Sequence, residues 1–326
     1  MHEYGASRTA LRVAARRAAH QILDRPPVFE DPLALAIVGA EAVEKAASEA
    51  SSPSLRAFIA ARSRFAEDEL ARAVERGVRQ YVVLGAGLDT FAYRNPHVAL
   101  GAGLDTFAYR NPHGVPGAGL DTFAYRNPHG VPGAGLDTFA YRNPHVALGL
   151  RVFEVDHPAT QEWKRGRLRT AGIEIPAELV FVAMNFERQS LAGALPSAGF
   201  RAGEPAFFSW LGVVPYLTEG AFLATMSFIA GLPPSSGVVF DYAVARHALS
   251  LREQLAFDAL ASRVAAAGEP FHLFFDPAAL AAQVRQLGFR HLEDLAAAGI
   301  NSRYFLGRAD GLSIRGRAGH LLCARV

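Results

Sequence analysis

The sequence predicts an α/β fold in which a mostly parallel sheet of seven strands carries helices on both faces. Short segments rich in β-branched and aromatic residues alternate with helical segments, from QYVVL at 80–84 to GVVFDYAV at 237–244. These segments are apolar on both faces, which is typical of strands buried in a parallel sheet. The remaining strands are predicted at 150–156, 178–186 and 205–212, and two late segments at 289–295 and 318–326 complete the sheet.

Three helical segments precede the first strand and predict an N-terminal helical cap. The first covers 8–23, and the second starts near Asp31-Pro32, because proline is favoured in the first turn of a helix. The third runs from Leu55 and stops at Gly77, a residue type common just beyond a helix end. The chain therefore divides into a helical cap at 1–77 and a sheet domain at 78–326.

Composition restricts the class of protein. Half of the 326 residues are hydrophobic and the formal net charge is +2, so the chain can bury a large core and lacks the basic excess of nucleic-acid-binding proteins. No apolar run reaches the roughly 20 residues of a membrane span, and the N-terminus does not resemble a signal peptide. The lone Cys323 and the scattered histidines predict neither a disulfide nor a metal site. We expect a cytoplasmic protein without a nucleic-acid or membrane partner.

A tandem repeat interrupts the alternation of strands and helices. The sequence GAGLDTFAYRNPH occurs four times, beginning at Gly85, Gly101, Gly117 and Gly133, so that each repeat unit has 16 residues. The units of structural solenoids vary in sequence while keeping their pattern, whereas these 13 residues are identical in all four units. This identity indicates recent tandem duplication or deliberate assembly. We expect the second to fourth copies to form a surface insertion at about 101–148, which departs after a short helix formed by DTFAYR of the first copy.

The position of the neighbouring strands predicts which copy binds a cofactor. A working glycine loop leaves the carboxyl end of a strand, and only Gly85 follows a convincing one. An acidic residue should follow about 20 positions later, and Asp156 lies 71 residues after Gly85 but 23 after Gly133. Removing three units, or 48 residues, restores the spacing of 23 for Gly85. Strand continuity favours the first copy, with Gly85, Gly87 and Asp89, and the fourth copy remains the alternative.

The loop itself says little about which cofactor it binds. GAGLDT contains two of the three glycines of the dinucleotide fingerprint, with Thr90 in the third position. The third glycine permits close packing of helix and strand beneath a pyrophosphate, so its absence argues against NAD or FAD. An adenosyl cofactor without phosphates does not require such close packing of helix and strand at this turn.

Several motifs in order make the chain similar to a known family. SRTALRVAARRAAH, PPVFEDPLA, ARSRFAEDEL, VVLGAGLDTFAYR, VFEVDHP and SWLGVVPYLT resemble the leucine carboxyl methyltransferase-like family of S-adenosylmethionine-dependent methyltransferases, in particular its bacterial members. The resemblance covers nearly the whole chain apart from the extra repeats. It implies S-adenosylmethionine as the cofactor, a Rossmann-like sheet with an antiparallel last strand, and a helical cap that helps to enclose the cofactor.

The resemblance also implies roles for individual residues. Asp156 corresponds to the residue that binds the ribose, and Arg62 and Arg8 to basic residues near the cofactor carboxylate. Asn185 and Phe186, in AMNFE, would lie by the adenine, with Asn185 standing where the family often has aspartate. The sequence differs from the family pattern after the fourth predicted strand. Many members carry a glutamate there, whereas this chain has the sequence WLGV at 210–213.

The expected reaction is methyl transfer to an oxygen of a small-molecule acceptor, with a carboxylate as the predicted acceptor. A carboxylate is ionised at neutral pH and needs no general base, whereas a hydroxyl does. Tyr216 and Asp241 are the residues predicted to border the acceptor, no catalytic residue is assigned, and His157 and His247 are candidate bases.

Other interpretations of these residues remain open. Asp156 could only cap the helix that follows it, and Arg62 could be solvated or paired within its own charged helix. An NAD(P)-linked oxidoreductase is a second candidate function. A third is a scaffold in which repeat expansion has disabled a former methyltransferase.

Overall fold

The computed structural model describes residues 8–48, 53–94, 149–186, 188–266, 268 and 270–326. The predicted insertion at about 101–148, with the second to fourth glycine units, lies outside these residues. The first unit is described from Gly85 to Arg94.

A seven-stranded sheet forms the centre of the described structure. Its strands are β1 Gln80–Leu84, β2 Arg151–Asp156, β3 Leu179–Ala183, β4 Ala206–Trp210, β5 Gly237–Ala243, β6 His291–Leu295 and β7 Gly319–Arg325. Their spatial order is β3-β2-β1-β4-β5-β7-β6, and β7 runs antiparallel to the other six strands. The predicted fold class is confirmed, and the predicted strand bounds agree with the observed ones to within three residues.

The helices lie before and between the strands. Four form the cap: α1 Arg8–Leu23, α2 Pro32–Val38, α3 Ala40–Ser48 and α4 Pro53–Glu75. The others are α5 Pro158–Thr170, α6 Leu191–Ser197, α7 Glu219–Ala230, α8 Leu251–Ala266, α9 Pro277–Gln286 and α10 Ala297–Tyr304. Short 3₁₀ turns occur at Phe91–Tyr93, Val214–Tyr216 and Arg246–Ala248.

Two features of the helices differ from the expectation. The segment AEAVEKAAS forms α3, which was not predicted, although its alanine, glutamate and lysine residues are strong helix formers. The segment DTFAYR, expected as a short helix, contains only the 3₁₀ turn, and Asp89 Oδ1 accepts the Phe91 N–H at its start, at 2.8 Å.

The core explains why the strands are apolar on both faces. In β1, Tyr81 and Val83 belong to the cluster that includes the cap helices, whereas Val82 and Leu84 belong to the cluster on the opposite face. Alternate side chains of a strand point to opposite faces, so a strand covered on both sides must be apolar throughout. The cap packs onto the sheet through this shared core, with α4 against β4 and β5. The predicted boundary at residue 77 stays a prediction.

No helix in the described part of the chain combines the length and the apolar character required to cross a membrane.

Candidate cofactor and acceptor site

The first glycine unit leaves the carboxyl end of β1 as a tight turn. Gly85 and Gly87 have φ values of +65° and +46°, in the left-handed region that favours glycine. The Gly85 and Ala86 N–H groups donate to the Val155 carbonyl at 2.8 and 3.2 Å, which fixes the turn to β2. A Cβ atom at Gly85 would overlap Val213 Cγ2, so the loop after β4 closes over this glycine. Only glycine therefore fits at position 85.

Asp156 lies at the end of β2, against this turn. Its Oδ2 accepts the Gly87 N–H and its Oδ1 accepts the His157 N–H, both at 2.6 Å. Burial raises the pKa of Asp156, and the two backbone donors oppose that shift without cancelling it. The N-cap of α5 is His157, whose Nδ1 accepts the Ala159 N–H at 3.3 Å. Asp156 is therefore not simply a helix cap.

A buried carboxylate joins the cap to the glycine turn. Asp31 is fully buried and accepts hydrogen bonds from Arg17 Nε at 2.6 Å and from Thr90 Oγ1 at 2.5 Å. Arg17 Nη2 also donates to the Leu88 carbonyl at 2.7 Å. Burial by itself would raise the pKa of Asp31, but Arg17, Arg94 and the Thr90 hydroxyl hold it below its ordinary value. Sequence reasoning used Asp31 only as a helix start, so this contact with the loop was missed.

Helix α1 lies directly on the same turn. A Cβ atom at Gly87 would lie 3.1 Å from the Cβ of Ala10, in the first turn of α1. The predicted basic residue Arg8 begins this helix, and its side chain lies outside the described atoms.

A second buried charge cluster lies beneath the loop. Lys164 Nζ donates to Glu154 Oε2 at 2.7 Å, with both side chains 1% exposed, and the Tyr93 hydroxyl donates to the same oxygen at 3.2 Å. Burial raises the pKa of Glu154 to about 7, although Lys164 acts in the opposite direction. Glu154 is two residues before Asp156 in β2, so the two carboxylates share a face of the sheet.

The structure brings two predicted site residues together at the ends of β4 and β5. Arg62 Nη1 donates to Asp241 Oδ2 at 2.9 Å, and the Gly212 N–H donates to Asp241 Oδ1 at 2.5 Å. Gly212 has a φ of +72°, and a Cβ atom there would lie 2.8 Å from Arg62 Nη2. Arg62 is therefore paired across the fold with β5. Its Nε atom is buried and has no hydrogen-bond partner among the described residues.

Asn185 and Phe186 lie in the loop after β3, at the same edge of the sheet. The Phe186 ring stacks on Trp210 with centroids 6.4 Å apart and an interplanar angle of 28°. The Asn185 carbonyl accepts the N–H groups of Arg188 and Gln189 at 3.1 and 2.9 Å, which folds the loop into a tight turn. The Trp210 indole N–H is buried and has no hydrogen-bond partner in the described structure.

Tyr216 lies in the 3₁₀ turn after β4, covered by the segment 271–275. Its ring is 5.2 Å from that of Phe271. The neighbouring Pro215 carbonyl accepts the N–H groups of His272 and Leu273 at 2.7 and 3.1 Å, which ties the segment to the turn. The Phe275 ring lies 5.9 Å from the Tyr242 ring of β5 at an angle of 86°. The wall beside Tyr216 is therefore largely aromatic.

Of the candidate bases, His157 is occupied as a helix cap and His247 is exposed in the turn Arg246–Ala248. Within the residues that the structure covers, no group of three or more His, Cys, Asp or Glu side chains is arranged to hold a metal ion.

The chain matches the family model of the leucine carboxyl methyltransferases over residues 10–99 and 131–230. It belongs to this family. Similar proteins include YktD of Bacillus subtilis, 38% identical over 78% of this chain, and a protein of Mycobacteroides abscessus, 30% identical over 65% of this chain. Both are assigned to the S-adenosyl-L-methionine-dependent methyltransferases. The matches span 67% and 56% of these two relatives' own lengths.

Two solved structures share the fold of this methyltransferase family member. A Thermobifida fusca protein described as a methyltransferase has a TM-score of 0.52 at 16% identity and covers 93% of this chain and 98% of its own. A DUF574 family protein from Streptomyces avermitilis has a TM-score of 0.50 at 15% identity, covering 98% and 97%. Family membership confirms the predicted enzyme class, a methyltransferase that uses S-adenosylmethionine. The roles of the individual site residues remain predictions.

Proposed function

We propose that this protein transfers a methyl group from S-adenosylmethionine to an oxygen of a small-molecule acceptor. The observation that carries the proposal is the hydrogen bond from the Gly87 N–H to Asp156 Oδ2. It joins the turn after β1 to the acid that ends β2, at the sheet edge where ligands bind in such folds. An adenosine placed against this turn would have its ribose hydroxyls within reach of the carboxylate.

The described residues fit the cofactor. Each Asp156 oxygen accepts one backbone N–H and keeps a lone pair for a ribose hydroxyl. The Arg62 Nε atom is a buried donor without a partner in the described structure, which suits a carboxylate on the methionine part. Phe186, stacked on Trp210, offers an aromatic surface beside the adenine.

The same turn argues against a dinucleotide. Thr90, in place of the third fingerprint glycine, donates its hydroxyl to the buried Asp31. The third fingerprint glycine permits close packing beneath a pyrophosphate, and Thr90 places a side chain at that position. A cofactor without a pyrophosphate does not need this packing.

The bound cofactor supplies an electrophilic methyl group, and the protein has to align and enclose the reactants. The Arg62–Asp241 pair fixes the loop after β4 through the Gly212 N–H, and the aromatic wall beside Tyr216 excludes water from the acceptor side. A carboxylate acceptor would require only this alignment. A hydroxyl acceptor would also require a group that takes its proton.

Replacing Asp156 with alanine should weaken cofactor binding by roughly 1–3 kcal/mol, because the ribose hydroxyls lose their partner. Calorimetric titration with S-adenosylmethionine measures the loss, and a parallel titration with NADH tests the alternative function. The matched control is His157→Ala, which removes the cap of α5 but leaves the carboxylate. Unchanged binding by D156A, or binding of NADH in preference to S-adenosylmethionine, would contradict the proposal.

A pair of glycine variants decides which copy of the repeat binds. Gly85→Val should abolish cofactor binding, because the residue has positive φ and its Cβ would overlap Val213. Gly133→Val, the same change in an identical unit, should leave the dissociation constant unchanged. Since G85V can also unfold the protein, a third chain lacking residues 101–148 is titrated as well, and we expect it to bind. Loss of binding in G133V or in the shortened chain would assign the site to a later copy.

A further inference from the structure

A hydrogen-bonded group of three side chains lies outside the site described above. The Tyr242 hydroxyl donates to Asp294 Oδ2 at 2.7 Å. His320 Nδ1 lies 3.0 Å from Asp294 Oδ1 and 3.1 Å from the Tyr242 oxygen. The three residues come from β5, β6 and β7, and Tyr242 and His320 are buried.

The arrangement is that of an oriented base. A carboxylate that accepts the Nδ1–H of a histidine fixes the ring and leaves Nε2 as the nitrogen that takes up a proton. In the described structure the hydrogen bonds of the His320 ring all involve Nδ1. Tyr242 holds the other oxygen of the same carboxylate, so Asp294 has little freedom to turn away from the ring.

The group lies at the same edge of the sheet as the cofactor residues. β7 is antiparallel, so its first residues, Gly319 and His320, are at the carboxyl ends of the parallel strands. His320 pairs with Tyr242, the residue after Asp241, whose side chain binds the Gly212 N–H. Two strand spacings, roughly 10 Å, therefore separate His320 from the loop after β4.

Contacts on both faces of the sheet connect this group to the candidate site. A Cβ atom at Gly319 would lie 3.1 Å from the Phe58 ring, one turn before Arg62 in α4. On the other face, the segment 271–275 contacts Tyr216 through Phe271 and Tyr242 through Phe275. Tyr242, whose ring lies 5.3 Å from that of His320, and the predicted acceptor residue Tyr216 thus border one aromatic segment.

We propose that His320, oriented by Asp294 and Tyr242, is the general base for a hydroxyl-bearing acceptor with an aromatic or apolar body. The inference rests on the proposed function and extends its acceptors beyond carboxylates. The acceptor O–H proton passes to His320 Nε2, and the oxygen lone pair forms the new bond to the methyl carbon. The carbon–sulfur bond breaks with its electron pair going to sulfur, and His320 then releases the proton to water.

Matched acceptor probes test the base. A panel of phenols and aromatic carboxylic acids with the same ring skeletons is incubated with labelled cofactor, and the ethers and esters formed are quantified by mass spectrometry. We expect methylation of the phenols in the panel. His320→Gln should lower this rate 10²–10⁴-fold, the contribution typical of a positioned base, and leave ester formation unchanged. His291→Gln, at an exposed histidine that begins β6, is the control without effect.

A binding measurement separates this inference from the proposed function. Calorimetry with S-adenosylmethionine should give the same dissociation constant for H320Q and the natural chain, whereas a chain that binds no cofactor refutes the proposed function itself. In nitrogen NMR spectra, the ring signals of His320 should shift when a phenol is added to the protein with S-adenosylhomocysteine. Phenol methylation unaffected by H320Q, a panel in which no phenol is methylated, or ring signals that do not respond would each overturn the assignment.

Other titratable groups contact the His320 ring or its partners. Tyr242 of β5 and Asp294 of β6 touch the ring, and Asp276, at the start of α9, acts on Tyr242 through space. Asp241 points to the opposite face of β5. Burial raises the pKa of Tyr242, so its hydroxyl stays protonated over the pH range of the experiment. Asp294→Asn should lower the rate of phenol methylation by removing the carboxylate partner of Nδ1, whereas Tyr242→Phe keeps that partner.

Discussion

Replacing Asp31 with alanine should lower the free energy of unfolding by about 3–5 kcal/mol and weaken cofactor binding at the same time. The change leaves the buried guanidinium group of Arg17 without its carboxylate, whereas Arg94 keeps its ion pair with Glu67, and an uncompensated buried charge costs that amount. It also removes the acceptor of the Thr90 hydroxyl, so the glycine turn loses its anchor on the cap. Urea unfolding and calorimetric titration with S-adenosylmethionine measure the two effects.

The chain offers a matched control for this experiment. Asp276 precedes α9 as Asp31 precedes α2, with proline at the next position and a side chain that accepts N–H groups of the first turn. Asp276→Ala should cost about 1 kcal/mol, the value of a helix cap, and leave cofactor affinity unchanged. Thr90→Val removes the anchor but keeps the ion pairs, so affinity should fall more than stability. Equal effects of D31A and D276A would show that Asp31 is only a cap.

Replacing Lys164 with methionine should also destabilise the protein by about 3–5 kcal/mol, because Glu154 stays buried without its cation. The double variant Glu154→Leu with Lys164→Met removes both charges and should recover most of this loss. Urea unfolding at neutral pH measures the free energy of unfolding of the single and of the double variant. A double variant as unstable as the single one would show that packing around the lysine, rather than its charge, matters.

Glu154 also makes the free energy of unfolding depend on pH, and the direction of this dependence follows from its raised pKa. Its pKa in the folded protein, about 7, is above the ordinary value of 4.5, so the folded form holds the proton to higher pH than the unfolded form. Between these values the folded state binds more protons, and stability from this group therefore falls as pH rises from about 4.5 to 7. Unfolding of Glu154→Gln over this interval should lack that component, and an unchanged pH profile would contradict the assignment.

The features that could be predicted from the sequence follow from local patterns. Strands buried on both faces are continuous apolar segments, and this fixed the bounds of β1 and β2 to within a residue. Gly85 and Asp156 follow from the rule that a glycine turn and an acid end neighbouring strands. Neither prediction needed information about distant contacts, because β1 and β2 pair directly in the sheet.

The features that were missed depend on residues that are far apart in the chain. The pairing of Arg62 with Asp241 joins positions 179 residues apart, and it exists because α4 lies across β5. The group of Tyr242, Asp294 and His320 requires the antiparallel register of β7 between two strands. Asp31 was recognised as a helix start, but its contact with Thr90 depends on how the cap packs against the glycine turn. Sequence patterns do not encode such packing.

The first glycine unit is engaged by the fold along its whole described length, since from Leu88 to Arg94 every side chain except that of Asp89 is buried. Its own residues contact the end of β2, Asp31 of the cap and the hydrophobic core. Evolution should therefore tolerate fewer changes in this unit than in an exposed loop of the same length.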